Sequence, residues 1–320
     1  MSRHGRILLG ISVALSLADA TAHAAVHPRR LVYERDGSVI VARIDGTHPR
    51  PLTAGWSPKI SPDGRWIAFT RAGARLYVVR AAGGTPRLLA RRVDTATWGP
   101  DSRRLLAEHR TGPLRVVELG GRVRTLASGR IFRAAFSPDG RSVVYSKATT
   151  YAGCGYHADV YRVPLPGGTP QRLTNDERSG PALWGASGIA FTHDVGRCGS
   201  RTIWFMRADG SGRRPLVARL PTWLTRPGYY GLEPFAWLPA GRLLAEVVAE
   251  FRNEAAAVDV RTGRVRRLGV PLDAVSRDGR WIVGTASGAE YPFSIVIAPV
   301  GGGHARTIAR GKVCCADWNR

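Results

Sequence analysis

One turn recurs along this chain and limits what the chain can become. Phe136-Ser137-Pro138-Asp139-Gly140-Arg141 and Ile60-Ser61-Pro62-Asp63-Gly64-Arg65 are near copies of each other. Trp98-Gly99-Pro100-Asp101-Ser102-Arg103 and Val275-Ser276-Arg277-Asp278-Gly279-Arg280 are looser copies. Trp184-Gly185-Ala186-Ser187-Gly188 and Trp237-Leu238-Pro239-Ala240-Gly241-Arg242 are worn ones. Proline sets φ at the first corner, aspartate bonds the backbone just ahead of it, and glycine takes the positive φ that completes the reversal. An apolar strand end therefore enters the same tight hairpin again and again.

A second pattern, small-Gly-x-Pro-Arg-x-Leu, follows each turn. Its last apolar residue falls at Leu52, Leu89, Leu126, Leu173, Leu216, Leu268 and Ile308. The mean spacing of about 43 residues is that of a four-stranded propeller blade. One unit reads as strand A (Ala134 to Phe136), strand B (Ser142 to Ser146), strand C (Asp159 to Pro164) and strand D (Gln171 to Thr174). Strand B is apolar on both faces, as a strand between neighbouring sheets must be. The first unit begins at strand B, Leu31-Val32-Tyr33-Glu34, and lacks strand A. The chain finishes with Cys315-Ala316-Asp317-Trp318, a strand A with nothing after it. The expected fold is an all-β, seven-bladed β-propeller of four-stranded antiparallel blades, with six blades as the alternative. Its C-terminal strand completes blade 1 and removes an open edge.

These Ser-Pro-Asp-Gly repeats, over residues 28–320, resemble the TolB-like β-propeller family, a WD40-like repeat class. The resemblance implies the propeller and says little about activity. The type member has six blades and an N-terminal α/β domain for which no residues remain here, so its Tol–Pal function is not carried over.

Residues 1–24 read as a secretory signal peptide. Arg3 and Arg6 precede an apolar run from Ile7 to Ala18, and Ala22-His23-Ala24 is a small-x-small cleavage site. Residues 25–320 form the single propeller domain. No later stretch has the length of a membrane-spanning helix. A secreted, periplasmic or cell-envelope location is expected. The net charge of +23 attracts polyanions, yet only three of the 47 basic residues are lysines. An exported chain without a nucleic-acid motif points away from DNA and RNA. A protein or an anionic cell-envelope polymer is the expected partner, and a monomer the expected state.

Arginine recurs two residues before the aligned apolar position, at Arg50, Arg87, Arg124, Arg214, Arg266 and Arg306, with Gln171 in the seventh place. On the outermost strand, such charges are expected to keep blade edges from pairing with other chains; a polyanion-binding rim is the functional alternative. If the aromatic residues of strand A pack between blades, then Lys59, Thr97, Ala135, Leu183, Ala236, Ala274 and Asp317 face the channel. The two charged members, Lys59 and Asp317, are expected to form an ion pair. Cys154 and Cys198 occupy the same loop of consecutive blades, which predicts a disulfide. Cys314 and Cys315 are adjacent in a strand, where side chains point to opposite faces, so free thiols and a strained bridge are both open. No zinc-ligand spacing, calcium loop, phosphate loop or serine-hydrolase elbow is present, and no metal, cofactor or catalytic residue is assigned. What remains is one face, where strand B–C loops and interblade links are longest and most aromatic. It carries Tyr151, Tyr156, His157, Trp223, Tyr229, Tyr230, Tyr291 and Arg133. The expected function is a non-enzymatic binding scaffold using this face. The alternative is a propeller enzyme, a polysaccharide or peptide-bond lyase or hydrolase, with a His/Glu/Arg cluster at the channel mouth.

Overall fold

A computed structural model describes residues 30–152, 155–194, 200–250, 253–276, 278–286 and 293–318. Among these the chain forms seven antiparallel blades, each with strands A to D in order. Blade 1 takes strand A from the C-terminus (Val313–Trp318) and strands B to D from Arg30–Arg35, Ser38–Arg43 and Arg50–Ala54. Blades 2, 3 and 4 begin with strands A at Trp56–Ile60, Thr95–Trp98 and Ile131–Phe136. Blades 5, 6 and 7 begin at Ser179–Gly185, Tyr229–Leu238 and Ala274–Val275. The C-terminal strand pairs as expected, with Trp318 opposite Leu31 and Asp317 opposite Val32.

The recurring turn explains the recurring hairpin. Ser61 Oγ donates to Asp63 Oδ1 at 2.5 Å, Asp63 accepts the Arg65 amide, and Ser61 Oγ accepts the Trp66 amide. The Ser137–Asp139 and Ser276–Asp278 turns repeat the set. In the looser copy Ser102 stands at φ 57 with no glycine, and Asp101 still accepts the Arg103 amide.

The core is divided among the seams. Seven apolar clusters each join two consecutive blades, and the last joins blade 7 to blade 1 through Ala274, Val283, Leu31 and Trp318. This corrects the channel-facing assignment of Leu183, Ala236 and Ala274. Ala236 and Ala274 are buried in seams, and Leu183 packs against the blade 5–6 cluster. Both faces of a blade meet a neighbour, so alternation along strand A sends side chains to opposite neighbours rather than to the channel.

The rim arginines are also reassigned. Arg50 donates to Ala81 O at 3.2 Å, Arg266 to Val300 O at 2.7 Å and Arg306 to Asp45 O at 3.0 Å; Arg87 reaches Leu119 O and Arg124 reaches Pro166 O. Each acceptor lies just past strand C of the next blade. The five side chains strap consecutive blades by covering strand-end carbonyls. Where Gln171 breaks the pattern, Arg162 reaches Ala208 O of the next blade at 3.4 Å. Arg214 instead lies over Phe205, 5.2 Å from the ring.

Candidate functional site

Strand A of blade 4 carries a register shift between Phe132 and Ala134, and Arg133 at that bulge has φ 38. Ser57 and Cys315 stand at the same place in blades 2 and 1, three residues before the end of strand A, with φ 50 and 60. Such bulges re-aim a side chain, and positive φ outside glycine costs about 1–3 kcal/mol. Here the bulge sends Arg133 past blade 5 to blade 6. It donates to Pro234 O at 2.7 Å and to Glu246 Oε2 at 3.1 Å, and lies 3.8 Å from Glu233 Oε2. A second register shift, between Pro234 and Ala236, lies at that carbonyl.

Arg201 completes the group. It donates to Glu233 Oε1 at 2.7 Å and lies 3.8 Å from Asp194. Its backbone pairs in parallel with Gly231 at the start of blade 6. A Cβ on Gly231, at φ 114, would stand 2.2 Å from Arg201 O and 2.6 Å from Arg201 N. Only glycine permits this approach.

The acids come from a repeated position. The fourth residue of the apolar run in strand B is Glu34, Thr70, Glu108, Ser146, Thr192, Glu246 or Thr285 around the ring. Glu108 accepts the Ala134 amide of the next blade at 3.2 Å, whereas the Ser146 hydroxyl donates to Gly180 O of the blade after its own. Burial pushes Glu108, Glu246 and Asp194 above the ordinary carboxylate range, against the pull of Arg133 on the two glutamates and Arg201 on Asp194. The pentapeptide Arg-Leu-Leu-Ala-Glu ends at both Glu108 and Glu246. A charge in a strand enclosed on both sides was the sequence signal for these acids, and it lay unused.

Beside this network, His193 lies 4.5 Å from the Trp204 ring, with Nδ1 3.9 Å from Asp176, and burial lowers its pKa. Asp176 and Glu177 are held by Asp159, whose buried carboxylate accepts both amides, the Thr174 hydroxyl and the Arg172 guanidinium. Glu177 in turn lies 3.6 Å from His157 Nδ1.

Trp223 and Tyr229 meet edge to face at 6.3 Å on the blade 5–6 core, with Arg267 5.5 Å from the Trp223 ring. Tyr230 is exposed. The backbones of Tyr151 and Tyr156 pair near the tip of the blade 4 hairpin. Tyr291, Cys154 and Cys198 lie outside the described residues. Asp317 accepts the Ile60 amide at 3.0 Å, beside Lys59, at the seam where the sequence predicts their ion pair.

One aromatic was missed. Trp56, at the start of strand A in blade 2, is 42% exposed. It edges an open cleft of about 530 Å³ between blades 2 and 3, lined also by Arg71, Asp94, His109, Arg110 and Thr111. Asp94 accepts the Arg110 amide at 2.7 Å and fixes the far wall. Strand B–C turns and interblade links build this cleft, so it opens on the same face as the network.

The sequence matches no family model and no curated protein sequence. Solved structures share the fold. TolB from Acinetobacter baumannii is 18% identical with a TM-score of 0.53, over 91% of this chain and 66% of that one. An oligogalacturonate lyase in complex with manganese is 16% identical with a TM-score of 0.62, over 88% and 85%. A puromycin hydrolase is 20% identical with a TM-score of 0.63, over 90% and 52%. The chain thus spans about two thirds of that TolB and half of the hydrolase. The likeness to TolB-like and related propellers is one of fold, and that fold serves both binding proteins and enzymes. Among the described residues no helix is long and apolar enough to cross a membrane.

Proposed function

We propose that this protein is an exported binding scaffold for an anionic cell-envelope polymer, taken up in the cleft between blades 2 and 3. The exposed Trp56 ring in the same cleft as Arg110 carries the reading, with Arg71 fixed at its edge by bonds to Ala54 O and Thr53 Oγ1. An indole face suits the apolar side of a sugar ring, and guanidiniums suit carboxylate or phosphate groups. The charged groups at the channel mouth are engaged with one another across the ring, which fits a frame better than a reaction centre. Titration with an anionic oligosaccharide tests the reading. Affinity should fall with rising salt and drop about tenfold, or roughly 1.4 kcal/mol, in Trp56→Ala. Unchanged affinity in that variant would count against it.

A second reading, catalysis at the channel mouth, is favoured by Glu246. Its carboxyl is raised by burial and bonded to Arg133, a pairing that suits general acid work beside an anion-steadying guanidinium. Turnover of the oligosaccharide by the wild type, lost in Glu246→Gln, would replace the scaffold reading with an enzymatic one.

A further inference from the structure

Cys314 and Cys315 open the strand that completes blade 1. In a regular strand their side chains would point to opposite faces. Cys315 instead has φ 60, and the pairing register shifts between Val32 and Glu34 on the facing strand. The bulge places the two sulfurs side by side as a bridged pair, the second of the two states the sequence leaves open. It also presents them to Glu34: Cys314 Sγ lies 3.3 Å from Glu34 Oε2, and one ligand atom from each residue lies within 4.8 Å of the others. All three residues are half-buried, open to exchange with solvent yet partly shielded.

The surroundings hold this trio from both sides. The Cys315 amide donates to Thr285 Oγ1 at 3.1 Å, and the Ala316 amide to Asp273 Oδ2 at 3.0 Å, both from the blade 7 side. Thr285 Oγ1 donates to the same carboxylate oxygen at 2.5 Å. On the other side, Glu34 accepts a backbone hydrogen bond from Ser57 of blade 2. Two sulfurs and a carboxylate of blade 1, their supports drawn from the blades on either side, have the donor set and outer support of a metal centre with an open position. Thiolate donors select thiophilic cations such as Zn²⁺ over Ca²⁺ or Mg²⁺.

We propose that Cys314, Cys315 and Glu34 form a redox-gated site for a thiophilic divalent cation. With the sulfurs joined, the site is closed. A dithiol reductant supplies two electrons and two protons, becoming a disulfide itself, and the sulfur–sulfur bond becomes two thiols. The cation then displaces the two thiol protons and is held by two thiolates and the Glu34 carboxylate. No local sequence motif announces such a site, because Glu34 comes from the opposite end of the chain.

The test uses the full chain with Cys154→Ser and Cys198→Ser, reduced by dithiothreitol and freed of it without oxygen. Co²⁺ is the probe, because thiolate ligation gives a sulfur-to-metal charge-transfer band. The site predicts one Co²⁺ per chain with that band, displacement by Zn²⁺, and no band in the oxidised chain. Glu34→Gln, which leaves both cysteines in place, should weaken binding at least tenfold, because it removes a ligand charge and the loss of an outer supporting group alone costs roughly 10- to 100-fold. Absence of the band in the reduced chain, or equal affinity in Glu34→Gln, would overturn the assignment.

Discussion

Replacing Arg133 by methionine removes a side chain that ties blade 4 to blade 6 across blade 5. The lost contacts are a 2.7 Å bond to Pro234 O and a 3.1 Å bond to Glu246, with Glu233 at 3.8 Å. Hydrogen bonds from a charged donor contribute about 1.5–3 kcal/mol each. The Arg133 side chain is 32% exposed, while the two glutamates are 14–15% exposed. Water can therefore replace part of what is lost, and about 2–3 kcal/mol is the expected cost. Each kcal/mol moves the midpoint of a domain this size by roughly 2–4 °C, so thermal melts at pH 7 should fall by about 5–10 °C. Much of that cost is the stranded charge on Glu246, and the double variant Arg133→Met/Glu246→Gln should recover at least half of it. A single variant melting within a degree of wild type, or a double variant no better than the single, would refute the reasoning.

Three further outcomes follow from the same geometry. Arg266→Ala removes a strap at the blade 6–7 seam and should cost about 0.5–1.5 kcal/mol in urea unfolding, whereas a surface arginine outside the straps such as Arg219 should cost nothing measurable. Gly231→Ala drives a Cβ into the Arg201 backbone at a φ that disfavours side chains, and should cost more than 2 kcal/mol, read as a lower melting temperature or loss of soluble protein. Burial raises Glu246 in the folded state, so the native protein holds that proton more tightly than the unfolded chain. Stability from this group is present at low pH and is lost as pH rises from the ordinary value of 4.5 through the raised one. The stability of Glu246→Gln relative to wild type should accordingly rise across that window; a flat difference in unfolding free energy would contradict the assignment.

Turn chemistry and spacing made the blades legible, because each Ser-Pro-Asp-Gly copy is a local device whose serine and aspartate side chains find their partners within about five residues. The closure was readable too, since one end lacked the strand that the other had spare. The site was not, because Arg133, Arg201, Glu233 and Glu246 meet only after the ring has formed. Arg133 meets its partners 101 and 113 residues further along the chain. The bulge that aims it leaves no compositional trace, as the equivalent residues in blades 1 and 2 are Cys315 and Ser57. The strand D arginines were legible as a recurring charge, but a period reveals only that a charge recurs and not that it meets a carbonyl of the next blade.

Hydrogen–deuterium exchange with and without an anionic oligosaccharide tests the proposed binding cleft most directly. Protection should concentrate in the two turns that wall it, Thr70 to Ala74 and His109 to Thr111, and should vanish in Trp56→Ala. Protection confined to other blades, or none at saturating ligand, would contradict the account.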